Sequence, residues 1–175
     1  MSGHDWDHTT DVLVIGSGAG ALTAALRAHD NGAQTLVIEK TALYGGSSAM
    51  SGGVLWLPSS PMIARAGGSD SPEEAKRYMK SVIGEPSQNA RIDAFVDTIP
   101  RFIEYLHART RVYLESLVGF PDMYPDNPDF KMHRCHEPLP FNGGSLGDEL
   151  QFLRPQHPQT TLFGVIGWTA SESLV

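Results

Sequence analysis

The sequence predicts an α/β chain that opens with a strand–turn–helix–strand unit and continues into an α+β region. Three observations carry this. Val12–Ile15 is a short apolar run that ends at a glycine, so it reads as a buried strand. Residues 19 to about 30, rich in Ala and Leu, read as a helix, with Gly32 behind it as a stop signal. Leu36–Ile38 is a second apolar run, read as a second buried strand, and it closes on an acid, Glu39.

The turn between the first strand and the helix gives the unit a chemical purpose. Gly16, Gly18 and Ala21 match G-x-G-x-x-[G/A], with Ser17, Ala19 and Gly20 between them. Gly16 permits the tight turn, Gly18 lets the backbone approach a pyrophosphate, and Ala21 lets helix and strand pack closely. The N-terminal amides and positive dipole end of the helix then face the phosphates. Glu39 stands about 20 residues after the glycines, where a carboxylate accepts hydrogen bonds from a ribose diol. The bland alternative is a βαβ unit with an ordinary tight turn. The full order of strand, turn, helix, strand and acid favours a Rossmann-like dinucleotide site.

Composition narrows the class. The chain has 175 residues, is 41% hydrophobic and carries a formal net charge of -7. It has enough apolar content for a core and no basic run, which argues against nucleic acid or an anionic membrane as partner. Cys135 is the single cysteine, so neither an intrachain disulfide nor a thiol-rich metal cage is available. No long apolar run suggests a transmembrane segment, and the acidic, polar start M-S-G-H-D-W-D-H lacks the pattern of a signal peptide. A cytoplasmic location is therefore expected. Trp6 is expected to pack on the body, and His4 and His8 are read as parts of a solvated leader with no metal role.

After Glu39 a nicotinamide-binding half would continue with a second crossover helix. Instead residues 41–60 form a glycine- and serine-rich loop without helical periodicity. Gly45-Gly46 and Gly52-Gly53 are two points of close backbone approach, with the hydroxyls of Ser47, Ser48 and Ser51 between them. The loop runs into an apolar segment, Val54-Leu55-Trp56-Leu57, expected to be buried. A long second dinucleotide-contacting loop suits FAD better than NAD.

These residues carry a resemblance. D-V-L-V-I-G-S-G-A-G, V-I-E-K and Y-G-G-S-S-A-M-S-G-G-V-L-W-L-P resemble the N-terminal part of the fumarate reductase and 3-ketosteroid dehydrogenase flavoprotein superfamily. Within it they are most similar to the 3-ketosteroid Δ1-dehydrogenases, with their G-G-S-x-x-x-S-G-G-x-x-W-x-P continuation. The resemblance implies FAD, with Gly16 to Ala21 at the pyrophosphate and Glu39 at the adenosine ribose. It places Lys40 beside the adenine end and Gly46, Ser47, Ser48, Ser51, Gly52 and Gly53 on the flavin side. Relatives that attach FAD covalently use a histidine in this loop. No histidine lies between His29 and His107, so noncovalent FAD is expected.

Further along, Ser71-Pro72-Glu73-Glu74 is a helix start with Ser71 as cap and Glu74 completing a capping box. The helix is predicted to run to Ile83 and stop at Gly84. Ile92, Phe95, Val96, Ile99, Phe102, Ile103 and Leu106 then form one apolar helical stripe read as core, with Pro100 expected to kink or divide the helix. Residues 112–114 read as a strand. Residues 119–158 hold seven of the twelve prolines and read as a long irregular segment. His133, Cys135, His136 and Glu137 are crowded together there but lack the second ligand pair of a structural zinc site. Residues 143–154 suggest a loop followed by a short helix or strand, and the chain closes on an apolar stretch from Thr161.

G-F-P-D-M-Y-P-D at 119–126 is similar to the G-[FY]-S-D-Y-Y-P-E segment of the Δ1-dehydrogenases, and E-P-L-P-F-N at 137–142 to their E-P-x-P-F-[ND]. In that family the first tyrosine of the Y-Y pair assists proton removal from substrate. Met123 occupies that position here and has no ionisable group. Tyr124, next to it, is the remaining catalytic candidate, and Phe120 and Met123 are read as substrate-lining, against simple packing under a loop.

Residues 1–110 are thus expected to be the N-terminal portion of a FAD-binding domain and 111–175 the start of an incomplete α+β substrate domain. The chain resembles only the N-terminal part of much longer relatives and reads as a fragment of such an enzyme. The expected function is a FAD-dependent dehydrogenase that moves a hydride from a carbon near a ketone to flavin N5. Its partners are a small-molecule substrate, a steroid by the resemblance, and an electron acceptor. The alternatives are a flavin-dependent reductase of α,β-unsaturated acids or ketones, and a FAD-binding module without independent catalysis.

Overall fold

The computed structural model describes residues 6–162 and 166–167. They form two compact units. One is built from the chain up to Ser51 together with Gly143–Gly167, the other from Gly52–Asn142.

The first unit holds the βαβ element. Strand β1 (Val12–Ile15) and strand β2 (Thr35–Ile38) flank helix α1 (Ala19–Asp30). The strands pair in parallel, Val12 opposite Thr35 through Ile15 opposite Ile38, and the Gly16 amide extends the ladder to the Ile38 carbonyl at 2.7 Å. Gly32, at φ +87°, takes the chain out of the helix, its amide donating a hydrogen bond to the His29 carbonyl at 2.8 Å. The predicted boundaries hold to within one residue, β2 starting at Thr35, but the predicted burial of the strands does not. Val14 is buried, whereas Leu13 is 52% and Ile15 78% exposed, and Ile38 is exposed as well. An apolar strand with no alternation needs cover on both faces, and one helix can cover only one face of a two-stranded sheet. Trp6, expected against the body, is 73% exposed.

The Gly143–Phe152 segment returns to this unit as 3-10 turns broken at Gly147 (φ 57°, ψ -132°) rather than as a regular helix or strand. Behind it, Leu153 forms a parallel bridge with Tyr44. The Tyr44 amide donates to the Phe152 carbonyl and the Arg154 amide to the Tyr44 carbonyl, both at 2.8 Å. Two short strands, Thr161–Leu162 and Ile166–Gly167, pair antiparallel. His4 and the apolar stretch from Trp168 lie outside the described residues.

The second unit packs helices on a small antiparallel sheet of order β3-β5-β4: β3 (Leu55–Trp56), β4 (Leu114–Ser116) and β5 (Cys135–Pro138). The predicted strand at 112–114 lies two residues later, and β5 overlaps the polar cluster of His133 to Glu137, where the sequence predicts no strand. A short helix α2 (Pro61–Arg65), capped by Ser60 Oγ on the Met62 amide, was not foreseen. Helix α3 (Pro72–Ile83) starts and stops as predicted: Ser71 Oγ accepts the Glu74 amide at 3.2 Å, and Gly84 ends it in the left-handed region at φ 67°. The Glu74 carboxylate pairs with Lys131 at 3.0 Å.

Helix α4 (Asn89–Arg109) is a single helix of 21 residues through Pro100, not two. Proline removes one amide donor. The loss is offset by the buried face on either side, where Ile92, Val96, Ile99, Ile103 and Leu106 are all below 7% exposed. Ile99, Ile103 and Leu106 join Leu57, Met62 and Leu114 in the core, with Leu55, Phe102 and Tyr105 packed against it. Phe95 departs from the predicted stripe. It is 39% exposed and stacks on Trp56, ring centres 6.4 Å apart. Of the apolar segment after the loop, Leu57 is buried, Leu55 and Trp56 are half-buried and Val54 is exposed.

Candidate functional site

The glycine turn, the end of β2 and the following loop enclose a cavity of about 760 Å³ within the first unit. It is lined by Ile15, Gly16, Ser17, Gly18, Glu39, Lys40, Thr41, Gly46, Ser47, Met50 and Arg154. Local chemistry shapes it. Gly16, at φ +99°, reverses the chain directly after β1, where an L side chain would be strained. Gly46, at φ +56°, brings two backbones together: a Cβ there would stand 3.3 Å from the Gly18 Cα. The loop is thus pressed against the phosphate-type turn by two glycines, one from each side.

Ser17 is the peg that fixes this arrangement. It is buried, donates its hydroxyl hydrogen to Glu39 Oε2 and accepts the Gly45 amide at 3.0 Å. One side chain therefore links the turn, the acid and the loop. The second Glu39 oxygen accepts the Thr41 amide at 3.2 Å. The Ser17 hydrogen bond, and after it the backbone amides and Arg154, hold the Glu39 carboxyl below the ordinary carboxylate range, so Glu39 is an anion at neutral pH. Anionic Glu39 accepts hydrogen bonds only, as recognition of a diol requires.

Other predicted residues serve the loop itself. Ser48 Oγ accepts the Ala19 amide at 3.0 Å, which ties the loop to the first turn of α1, and Ser51 Oγ donates to the Ser48 carbonyl at 2.8 Å. Gly45 is packed so that a Cβ would stand 2.7 Å from that of Ala49. Gly20 and Ala21 continue the first turn of α1, for which Gly18 supplies no side-chain cap. Gly52 and Gly53 belong to the second unit, where Gly53 (φ +76°) lies against Pro138.

Phe120, Met123 and Tyr124 sit together on a loop of the second unit. Phe120 is half-buried, Met123 is 81% exposed and Tyr124 is exposed, its amide donating to the Tyr78 hydroxyl at 3.3 Å. The polar cluster near β5 is not gathered into one site. His133 takes φ 72° and accepts the Gly119 amide on Nδ1, while His136 is fully buried. Its Nδ1 faces the Arg134 carbonyl at 2.9 Å, so that nitrogen carries the hydrogen and Nε2 accepts from Ser60 Oγ at 2.8 Å. Burial lowers the His136 pKa and raises that of the Cys135 thiol. Among the described residues no three metal-ligating side chains converge.

Sequence reasoning missed Ile15, Thr41, Met50 and Arg154 in the cavity. Arg154 is more than a hundred residues from the glycine turn, and no local pattern signals its return.

A family model described as FAD binding domain matches residues 11–160. The chain belongs to the FAD binding domain family. Within it, the chain is 35% identical over 167 residues to a 3-oxosteroid 1-dehydrogenase of Mycolicibacterium smegmatis, covering 95% of this chain and 29% of that protein. It is 40% identical over 123 residues to a 4-oxocyclohexanecarboxylate 2-dehydrogenase of Sinomonas cyclohexanicum, covering 69% of this chain and 21% of that one. A crystal structure of the 3-ketosteroid delta1-dehydrogenase from Sterolibacterium denitrificans in complex with 1,4-androstadiene-3,17-dione superposes with a TM-score of 0.87 at 38% identity. It covers 94% of this chain and 29% of that one. The chain therefore spans under a third of the length of these relatives. The cavity residues fit the family's cofactor: glycine backbones approach each other where a Cβ would intrude, an anionic carboxylate stands at the end of β2, and the cavity has room for an extended ligand. Among the described residues no helix is long and apolar enough to cross a membrane.

Proposed function

We propose that this chain supplies the FAD-binding part of a dehydrogenase acting on a ring ketone, most closely a 3-ketosteroid. The observation that carries the reading is the Ser17–Glu39–Gly45 knot, which welds the glycine turn to a second backbone-lined loop in a chain 35% identical to a 3-oxosteroid 1-dehydrogenase.

In this reading the backbone from Gly16 to Ala21 receives the pyrophosphate and Glu39 accepts from the adenosine ribose, with Lys40 at the adenine end. Gly45, Gly46, Ser47, Ser48, Ser51, Gly52 and Gly53 form or brace the flavin side. FAD, when bound, supplies hydride acceptance; the protein contributes binding, orientation and exclusion of water. With no histidine between His29 and His107, FAD is held noncovalently. Residues 1–110 serve chiefly the cofactor and 111–175 begin the substrate side, with the return segment that carries Arg154 lent to the cofactor cavity. There Phe120 and Met123 contact substrate and Tyr124 stands nearest to the proton-transfer position. The acidic chain with one buried cysteine fits a cytoplasmic setting.

The 40% identity to the Sinomonas relative favours a second reading of the same site, in which the substrate is a monocyclic ring ketone, as the name of that relative indicates for that protein. The test is the protein purified with FAD and given an artificial electron acceptor. Acceptor reduction with 3-ketosteroids supports the first reading. Reduction with oxocyclohexanecarboxylates alone moves it to the second. Flavin that stays with the polypeptide after acid precipitation overturns the noncovalent assignment.

A further inference from the structure

Among the described residues, Arg154 is the one long cationic side chain brought to the cavity from outside the glycine turn and its loop. Its backbone is fixed by the Tyr44–Leu153 bridge, with the Arg154 amide on the Tyr44 carbonyl at 2.8 Å. Its Nη2 donates to Thr41 Oγ1 at 2.9 Å, and its charge reaches Glu39. The Nε–H is buried and has no hydrogen-bond partner among the described residues, although the side chain lines the cavity. A buried donor on a charged group is costly to leave unmade, so an anchored guanidinium with one unused donor is a site prepared for an acceptor. Thr41, which anchors it, also bonds through its amide to the carboxylate read as the ribose acceptor. That places Arg154 at the Glu39 end of the cavity.

We propose that Arg154 holds the adenosine half of FAD and thereby selects the dinucleotide over the mononucleotide flavin. The inference rests on the FAD reading of this cavity. Adenosine offers ring nitrogens and ribose oxygens as acceptors and a planar face against which a guanidinium stacks; FMN lacks this half of the ligand, and its own ring and ribityl chain belong to the flavin side of the site, away from Glu39. The return segment from Gly143 to Arg154 is then part of the cofactor site.

The experiment compares FAD and FMN affinity, by flavin fluorescence quenching, in the wild-type apoprotein and in Arg154→Gln. The expected result is an FAD affinity lowered about tenfold, in line with loss of a charged hydrogen bond, with FMN affinity unchanged within twofold. Thr41→Val, which frees the guanidinium without removing it, gives a smaller loss in the same direction and serves as the second variant should Arg154→Gln fail to fold. Equal losses for FAD and FMN would place Arg154 on the shared phosphate or flavin half and overturn the proposal, as would unchanged FAD affinity in both variants. Failure of the wild-type protein to bind any flavin is a separate outcome, and it overturns the cofactor reading beneath the proposal.

Discussion

The two units each contain a charged cluster, and the clusters are built to opposite ends. In the second unit Arg134 is fully buried, with Nε and Nη2 forking onto Asp70 at 2.8 and 2.6 Å and Nη1 on Asp122 at 2.7 Å. Asp122 also accepts Trp56 Nε1 at 2.7 Å and the Lys131 amide at 3.0 Å, and the guanidinium lies over the Tyr78 ring at 5.2 Å. Burial works against the Arg134 charge, but the hydrogen bonds and charges of Asp70 and Asp122 outweigh it and raise its pKa. Every carboxylate oxygen in that cluster is used by the protein. In the first unit Glu39 borders an open cavity and Arg154 keeps an unused donor. Charge with its hydrogen-bonding capacity filled holds a fold together; charge with capacity left over, facing a cavity, is equipped to hold something else.

This contrast can be broken by experiment. The largest effect is expected at Arg134→Met, which leaves Asp70 and Asp122 buried without their cation. Unfolding in urea should show a loss of about 3–5 kcal/mol. A variant as stable as wild type would mean that the network is not structural. In the first unit, Gly46→Ala adds a Cβ 3.3 Å from Gly18 Cα at φ +56°. It should cost about 1–2 kcal/mol in stability and weaken FAD binding, read by flavin retention on gel filtration. Normal retention would show that the close approach does not shape the cofactor site.

Ser71→Ala, beside Asp70 in the chain but making none of the Arg134 hydrogen bonds, removes the cap of α3 and should cost about 1 kcal/mol with flavin binding untouched. The smallest effect is a slope. His136 is held neutral, its folded pKa below the unfolded value of 6.5, so the unfolded chain binds the proton more readily. Its contribution to stability is complete above about pH 6.5 and is lost as pH falls from there through the lowered folded value. Denaturation midpoints measured from pH 8 to 5 should fall on that limb in the wild type and flatten in His136→Gln, which can still bridge Arg134 and Ser60. An identical slope in both would remove His136 as its source.

Much of the cofactor side was legible because it is local. Val12–Ile15, Ala19–Asp30, the glycines and Glu39 follow one another within one short stretch, and their spacing reflects rules of strand, turn and helix that need no distant partner. The cap and stop of α3 at Ser71 and Gly84 were legible for the same reason. The continuity of α4 through Pro100 was not, since local chemistry opposes it and burial of Ile99 and Ile103 decides it. The sequence marks the loop serines as ligand donors; the structure adds that Ser48 and Ser51 also bond within the protein and that Ser17 ties three segments together, a role its place in the fingerprint does not signal.

The sequence alone determined that a dinucleotide binds and that FAD is the better choice, because a glycine pattern, a terminal acid and a second glycine loop are properties of chain order. Only the tertiary structure decided where the charges go. It turned His133, Cys135 and His136 from a ligand-like cluster into separate positions on and beside a strand, buried Arg134 between two aspartates, and carried Arg154 back across the chain to Glu39. Hydrogen-bond satisfaction in three dimensions sets those roles, and it depends on neighbours that no local spacing encodes.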